Sequence, residues 1–124
     1  MAKIFILAGI LLTMLGVVIG AFGAHGIKPH VSEDLFANYQ TGVQYHFYHA
    51  LGLLLLGLYT YLVGPTTLAG WAGGLFIAGI VIFSGSLYLM ALTDMRWLGA
   101  ITPIGGKAFI VAWILWFITV WIEV

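Results

Sequence analysis

The chain has 124 residues, of which 63% are hydrophobic, 6% are charged and none is cysteine, whereas an ordinary soluble domain carries about 25% charged residues. Four Lys and Arg balance four Asp and Glu, so there is no basic excess for neutralising phosphates, and a nucleic-acid partner is excluded. The absence of Cys excludes disulfides, thiolate metal sites, Fe–S clusters and a cysteine nucleophile.

A membrane-crossing helix needs about 20 mainly apolar residues to span roughly 30 Å of hydrocarbon. The first such stretch runs from about Ile4 to Phe22. Lys3 ahead of it and the small residues Ala21, Gly23 and Ala24 at its end also suit a signal peptide. Its apolar run, however, exceeds the roughly 7–15 residues of a signal h-region, and only one Lys precedes it, so a retained span is expected. Pro29 and Ser32 follow. Ser32 is expected to cap the second helix, with Glu33 and Asp34 in the first turn facing the positive end of the helix dipole. Read from Glu33 to Leu62, this helix is about 45 Å long at 1.5 Å per residue, so it starts ahead of the membrane and its embedded part is about Thr41 to Leu62.

Gly64-Pro65 ends the second helix, as Gly at C′ followed by Pro commonly does, and the uncharged link Val63 to Leu68 reads as a tight hairpin. The third span covers about Ala69 to Leu92. The loop Thr93 to Ile101 leads to Thr102-Pro103, the expected N-cap and N1 of a fourth span from about Pro103 to Ile122. No stretch alternates with the period of a barrel strand, and lipid offers the backbone no hydrogen-bond partners. The expected fold is therefore all-α, an integral membrane four-helix bundle forming a single domain over residues 1–124. Trp71, Trp97 and Trp121, with Tyr59 and Tyr61, sit near the span ends, where amphipathic rings favour the interface. Both termini share one side with Lys3, and the other side holds Lys28, Arg96 and Lys107. This bias puts the Lys28 and Arg96 loops in the cytoplasm and both termini outside.

Small residues four apart let helix backbones approach closely in lipid. Gly16 with Gly20, and Gly70 with Gly74, have this spacing and are expected to form packing seams, with self-association as the alternative use of the same stripes.

Polar residues at membrane depth are expensive and therefore functional candidates. Glu33, Asp34, Asp94 and Glu123 all lie in loops or near a terminus, so no span carries the buried acid of a proton-coupled small multidrug exporter, and no carboxylate pair exists for hydrolysis. His46 and His49 share a helix face with Gln44 and Tyr45 beside them, and His25 leaves the first helix on the same side of the membrane. The three imidazoles are candidate metal or haem ligands, although no Glu of the H-E-x-x-H kind accompanies them; the alternative is that they are hydrogen-bonded bundle histidines. Ser84, Ser86 and Tyr88 of the third span and Thr102 and Lys107 of the fourth are expected at the same leaflet. There the amides of Ile104 to Gly106 with Lys107 make a candidate anion or lipid-headgroup site. The opposite half of each span is almost purely apolar.

The strings GAFGAHG (Gly20 to Gly26), QYHFYHAL (Gln44 to Leu51), FSGSLYLMALT (Phe83 to Thr93) and ITPIGG (Ile101 to Gly106) occur in this order on the four segments. With them the chain resembles, over essentially its whole length, the family of small membrane proteins of unknown function that includes YgdD, YwdK and eukaryotic transmembrane protein 256. One departure is Ala112-Trp113, where the family pattern has Gly-Trp. The resemblance implies a small multi-pass protein of the bacterial cytoplasmic membrane and supplies no catalytic residue. The expectation is a non-enzymatic accessory, interaction or lipid-associated protein that needs no cofactor. Its partners would be membrane lipids and either a membrane protein or a second copy of itself. The alternatives are a small transporter and a histidine-based metal or haem protein.

Overall fold

The computed structural model describes every residue from Met1 to Val124 and contains four helical stretches long and apolar enough to cross a membrane. The first comprises α1 (Ala2–Phe22), a π-helical turn at Gly23–Ile27 and a 3-10 turn at Lys28–His30. Helix α2 runs from Glu33 to Val63 without a break. The third stretch joins α3 (Thr67–Gly79), a π turn at Ile80–Ser84 and α4 (Gly85–Thr93). A 3-10 turn at Arg96–Ala100 then enters α5 (Thr102–Glu123). The apolar runs in the sequence locate all four stretches, but the first helix continues past Phe22, because Gly23 to Ile27 widen into a π turn rather than unwinding.

Helix α2 is the centre of the bundle. Its buried positions Leu35, Tyr39, Gly42, His46, His49, Leu53, Leu56 and Thr60 form a stripe at helical spacing. Helix α1 packs along it antiparallel, and α3 packs mainly on α5, while α4 turns its contacts to α2. The α1–α2 seam is made by glycines on both helices. A Cβ at Gly9 would lie 2.8 Å from Leu54 N, and one at Gly57 would lie 2.8 Å from Ile6 N. Further along the seam, Gly16 faces Phe47 and His46, Gly20 faces Val43, and Gly23 lies under the Tyr39 ring. Backbones this close gain dispersion contacts, the main attraction available between helices in lipid.

The third stretch departs from its expected seam. Gly74 is exposed and has nothing within 4 Å of its Cβ position, and Gly70 meets only the flexible end of Met1. The close approaches fall instead on Gly73, which receives the Phe5 ring, on Gly79, which receives Phe109, and on Gly105, which sits against the backbone of Phe83. Neighbouring residues on a helix point about 100° apart at 3.6 residues per turn, and here the seam takes Gly73 in place of Gly74.

The helix ends differ in detail from the sequence reading. Ser32 occupies the expected cap position with extended backbone, but its hydroxyl donates to Asp34 Oδ1 at 2.5 Å and caps no amide. Thr102 is likewise no side-chain cap: its hydroxyl donates to Leu98 O at 3.3 Å and pairs with Ser86 Oγ at 2.5 Å. The working side-chain cap is Thr66, whose Oγ1 accepts from Ala69 N at 3.1 Å at the start of α3. Gly64 ends α2 at φ 112°, a conformation that L side chains rarely adopt.

Four apolar clusters run through the bundle. Phe5, Leu53, Leu56, Ala69, Ala72, Phe76 and Ala112 pack together toward the Gly64 hairpin, and Ala50, Ile80 and Phe109 lie in the middle. Ile27, Tyr39 and Ala91, and Leu35, Leu87, Met90 and Leu98, close the end that carries the Lys28 and Arg96 loops.

Candidate functional site

His46 is buried and uses both ring nitrogens. Nε2 lies 2.7 Å from Leu12 O of α1, and Nδ1 lies 2.8 Å from Tyr88 Oη of α4. A carbonyl can only accept, so the partners assign the proton to Nε2 and leave Nδ1 to accept from the Tyr88 hydroxyl. One neutral imidazole thereby ties α1, α2 and α4 together. Leu12 is midway along the apolar run of α1, so this bond lies deep in the bundle and not near a leaflet surface, where the sequence reading put it.

His49, one turn further along α2, is held differently. Its Nδ1–H donates to Tyr45 O at 2.7 Å, and its ring stacks on Phe109 with centroids 3.5 Å apart and planes 9° apart. Phe76 and Trp113 flank it at 5.9 Å. It is a half-polar ring packed in an aromatic box.

The remaining candidates separate into local pairs. Ser84, fully buried, donates to Gly42 O at 2.6 Å and joins the π turn of the third stretch to α2. Ser86 pairs with Thr102, which fastens α4 to the start of α5. Gln44 Nε2 donates to Tyr48 Oη at 2.6 Å on the outer face, while Tyr45 packs its ring on Phe83 at 4.8 Å. Lys107 is exposed. The amide of Ile104 is already spent on Ile101 O at 3.0 Å, and Gly105 is pressed against Phe83. The expected anion site at this helix start therefore has no open cradle.

The expected triad of imidazoles does not assemble. His25 is exposed on the π turn after α1, His46 has no free lone pair, and His49 faces α5. No group of three His, Cys, Asp or Glu side chains comes together in a way that would hold a metal ion.

Two polar features were missed from the sequence. Tyr39 donates to Ile19 O at 2.5 Å and seals the α1–α2 seam beneath Gly23. Its spacing of seven residues from His46 puts both on one helix face, and this signal was present in the sequence. At the loop end, Arg96 bridges Asp34 at 2.6 Å and Asp94 at 3.1 Å. Asp34 lies in the first turn of α2, and its hydrogen bond with Arg96, helped by Ser32, holds its carboxyl well below the usual carboxylate range. Ser32, Asp94 and Arg96 border a cleft of about 510 Å³ that Ile27, His30 and Leu35 also line.

This arrangement has relatives. Residues 19–106 match a family described as "Protein of unknown function (DUF423)". The chain is 47% identical over 116 residues to the UPF0382 membrane protein YwdK of Bacillus subtilis, covering 91% of this chain and 92% of the relative. It is 47% identical over 114 residues to the UPF0382 membrane protein SH2409 of Staphylococcus haemolyticus and 45% identical to SAB0533 of Staphylococcus aureus, covering 91% of both chains in each case. No solved structure matches. On these likenesses, and with four membrane-capable helices, the chain belongs to the DUF423, or UPF0382, family of membrane proteins of unknown function.

Proposed function

We propose that the protein is a non-enzymatic accessory of the bacterial cytoplasmic membrane that associates with lipids and with a larger membrane protein. The observation that carries this reading is the engagement of both His46 nitrogens, by Leu12 O and by Tyr88 Oη. The polar group best suited to chemistry by type and depth is committed to holding three helices together. Ser84, Ser86, Thr102 and Tyr39 are spent in the same way, which leaves no convergent set of free donors and acceptors of the kind a catalytic or transport site needs. Apolar side chains such as Leu62, Trp71, Phe117 and Trp121 instead face outward on all sides, a surface that suits lipid or another helix. In this reading the Lys28 and Arg96 loops face the cytoplasm, as the distribution of Lys and Arg favours.

The test is purification from native membranes into lipid nanodiscs, with photo-crosslinking residues at Trp71 and Phe117. A defined membrane protein crosslinked in stoichiometric yield by wild type and by His46→Phe alike supports the accessory reading. Stoichiometric metal or a haem absorption band in the wild type, lost in His25/His46/His49→Ala, overturns it.

A further inference from the structure

Two clefts at the loop end meet along the α1–α2 seam. One, of about 490 Å³, has Lys28 and Glu33 in its walls; the other, of about 240 Å³, runs past Gly20, Gly23 and Val43. Phe36 and Gln40 line both, so the two form one continuous groove. From Lys28 back to Gly20 is about 12 Å at 1.5 Å per residue, and the groove therefore starts among charges and ends between apolar helices.

The charges in this groove are opposite in sign yet do not close on each other. Both side chains are exposed, and the only ion pairs in the chain are those of Arg96 with Asp34 and Asp94. The Lys28 ammonium lies instead 5.9 Å from the centroid of the Phe36 ring, and Glu33 sits in the first turn of α2, where the helix dipole favours a carboxylate. In the neighbouring Arg96 cleft the charges already satisfy one another. Here a cation and an anion are held apart in one open space, which is the complement of a guest that carries both signs. A purely anionic guest would gain Lys28 but meet the Glu33 carboxylate with nothing to offset it. Deeper in the groove the polar groups become neutral. Gln40 is exposed and bonds to nothing within the chain, and Gln44, one turn further, gives one N–H to Tyr48 Oη and keeps the other free. Amide donors on the outer face of a helix are expensive as water thins out, and the acceptors that a membrane offers at that depth are the ester carbonyls of its lipids.

We infer that the groove seats one molecule of phosphatidylethanolamine. Its phosphate lies against the Lys28 ammonium and its own ammonium against the Glu33 carboxylate; an ester carbonyl accepts from Gln40 Nε2, and an acyl chain lies over Gly20 and Val43. The order of groups along the lipid, charged head, ester and chain, follows the order of the residues along the groove. The site deepens the lipid-associated part of the proposed function and rests on it.

The experiment is a thermal-shift titration of the delipidated full-length protein in detergent, with dioleoyl phosphatidylethanolamine, dioleoyl phosphatidylglycerol and chain-free glycerophosphoethanolamine as probes. The wild type is expected to reach half its maximal shift at about fivefold less phosphatidylethanolamine than phosphatidylglycerol, which has the phosphate and the chains but no ammonium; this is the size of one exposed charge-assisted contact. Lys28→Gln and Glu33→Gln alter exposed side chains and are expected to melt close to the wild type without lipid, which shows that they fold. Lys28→Gln should weaken both lipids about fivefold. Glu33→Gln should weaken phosphatidylethanolamine alone and erase the preference, while Gln40→Leu should weaken both lipids and keep it. Equal half-points for the two lipids in the wild type overturn the proposal, as does a phosphatidylethanolamine half-point unchanged in the Lys28→Gln/Glu33→Gln double variant. A saturating shift from glycerophosphoethanolamine at the concentration that suffices for the lipid also overturns it, since the chain would then contribute nothing. Two lipids that bind equally would leave lipid association standing, and the crosslinking and metal results do not depend on any of these variants, so a failure here can be told apart from a failure of the accessory reading.

Discussion

Tyr88 and His46 meet across the α2–α4 contact with the phenol hydroxyl 2.8 Å from Nδ1, and the opposite nitrogen of the same ring reaches Leu12 O at 2.7 Å. Neither Tyr88→Phe nor His46→Phe disturbs the shape much, but each leaves a buried polar group of its partner unmatched. Each single change is expected to destabilise the detergent-solubilised protein by about 1–2 kcal/mol. The double variant should lose less than the sum, with a coupling of about 0.5–1.5 kcal/mol, the range found for interhelical hydrogen bonds in membranes. A thermal-denaturation double-mutant cycle measures this directly, and strict additivity would show that the bond is absent in solution.

The glycines divide into two classes with opposite expected behaviour. Gly9→Ala and Gly57→Ala would each drive a methyl to within 2.8 Å of a backbone nitrogen on the facing helix. Backbone cannot swing aside, so a loss of about 1–3 kcal/mol is expected. Gly74→Ala and Gly85→Ala enter open space and should be neutral or stabilising by up to about 1 kcal/mol through helix propensity. Gly74→Leu should also leave folding intact. Melting temperatures of the five variants in one detergent decide the matter; a destabilised Gly74→Leu would point to a second copy of the chain packed on that face.

The pair Asp34–Arg96 predicts a pH effect of definite sign. The Asp34 carboxyl is held below its ordinary range by the hydrogen bond from Arg96. A depressed folded-state pKa gives stability that is complete above the unfolded value and is lost as the pH falls through the folded value. The wild type should therefore outlast Asp34→Asn at neutral pH, and the two should converge at strongly acidic pH. Both partners are more than half exposed, so the difference should be small and should shrink in molar salt. Melting curves across pH and salt check both trends.

The bonding of His46 also governs its response to metal. Zn²⁺ needs a free imidazole lone pair, and acquiring one at His46 means breaking the Tyr88 bond or shifting the proton off the Leu12 contact. Isothermal titration of Zn²⁺ into the purified protein is expected to show no saturable site that depends on His46. Any weak binding should follow the exposed His25 and His30 and vanish in His25/His30→Ala. A tight site abolished by His46→Ala would contradict the hydrogen bonding described here.

The number of long apolar helices, the early start of α2 at Glu33 and its end at Gly64 were legible in the sequence, because apolar run length and the Gly-Pro pair act locally. The hydroxyls of Ser32 and Thr102 were misread for a related reason. Each had a second acceptor or partner, Asp34 for one and Ser86 with Leu98 for the other, and only the tertiary fold brings Ser86 within reach. Gly73 and Gly74 show the same limit, since adjacent small residues satisfy a spacing rule equally and only the position of Phe5 decides between them. The site residues were recognisable by type. Their dispersal into separate bonds was not, because whether polar side chains converge on a ligand or on one another depends on rotations of the helices that periodicity does not specify.

The π turn at Ile80–Ser84 has one more consequence. A π turn takes one residue more than an α turn to complete a loop of the backbone, so it works as a phase shifter: the two halves of one hydrophobic segment are clocked to different neighbours, α3 to α5 and α4 to α2. Removing a single residue from Ile80–Ser84 would put the segment back in step with itself and turn everything beyond it by about 100°. Tyr88 would then swing away from His46 and Ser84 away from Gly42 while the hydrophobicity of the segment stayed the same. In this protein the fit of the bundle depends on an odd residue of length, a quantity that no measure of apolar character detects.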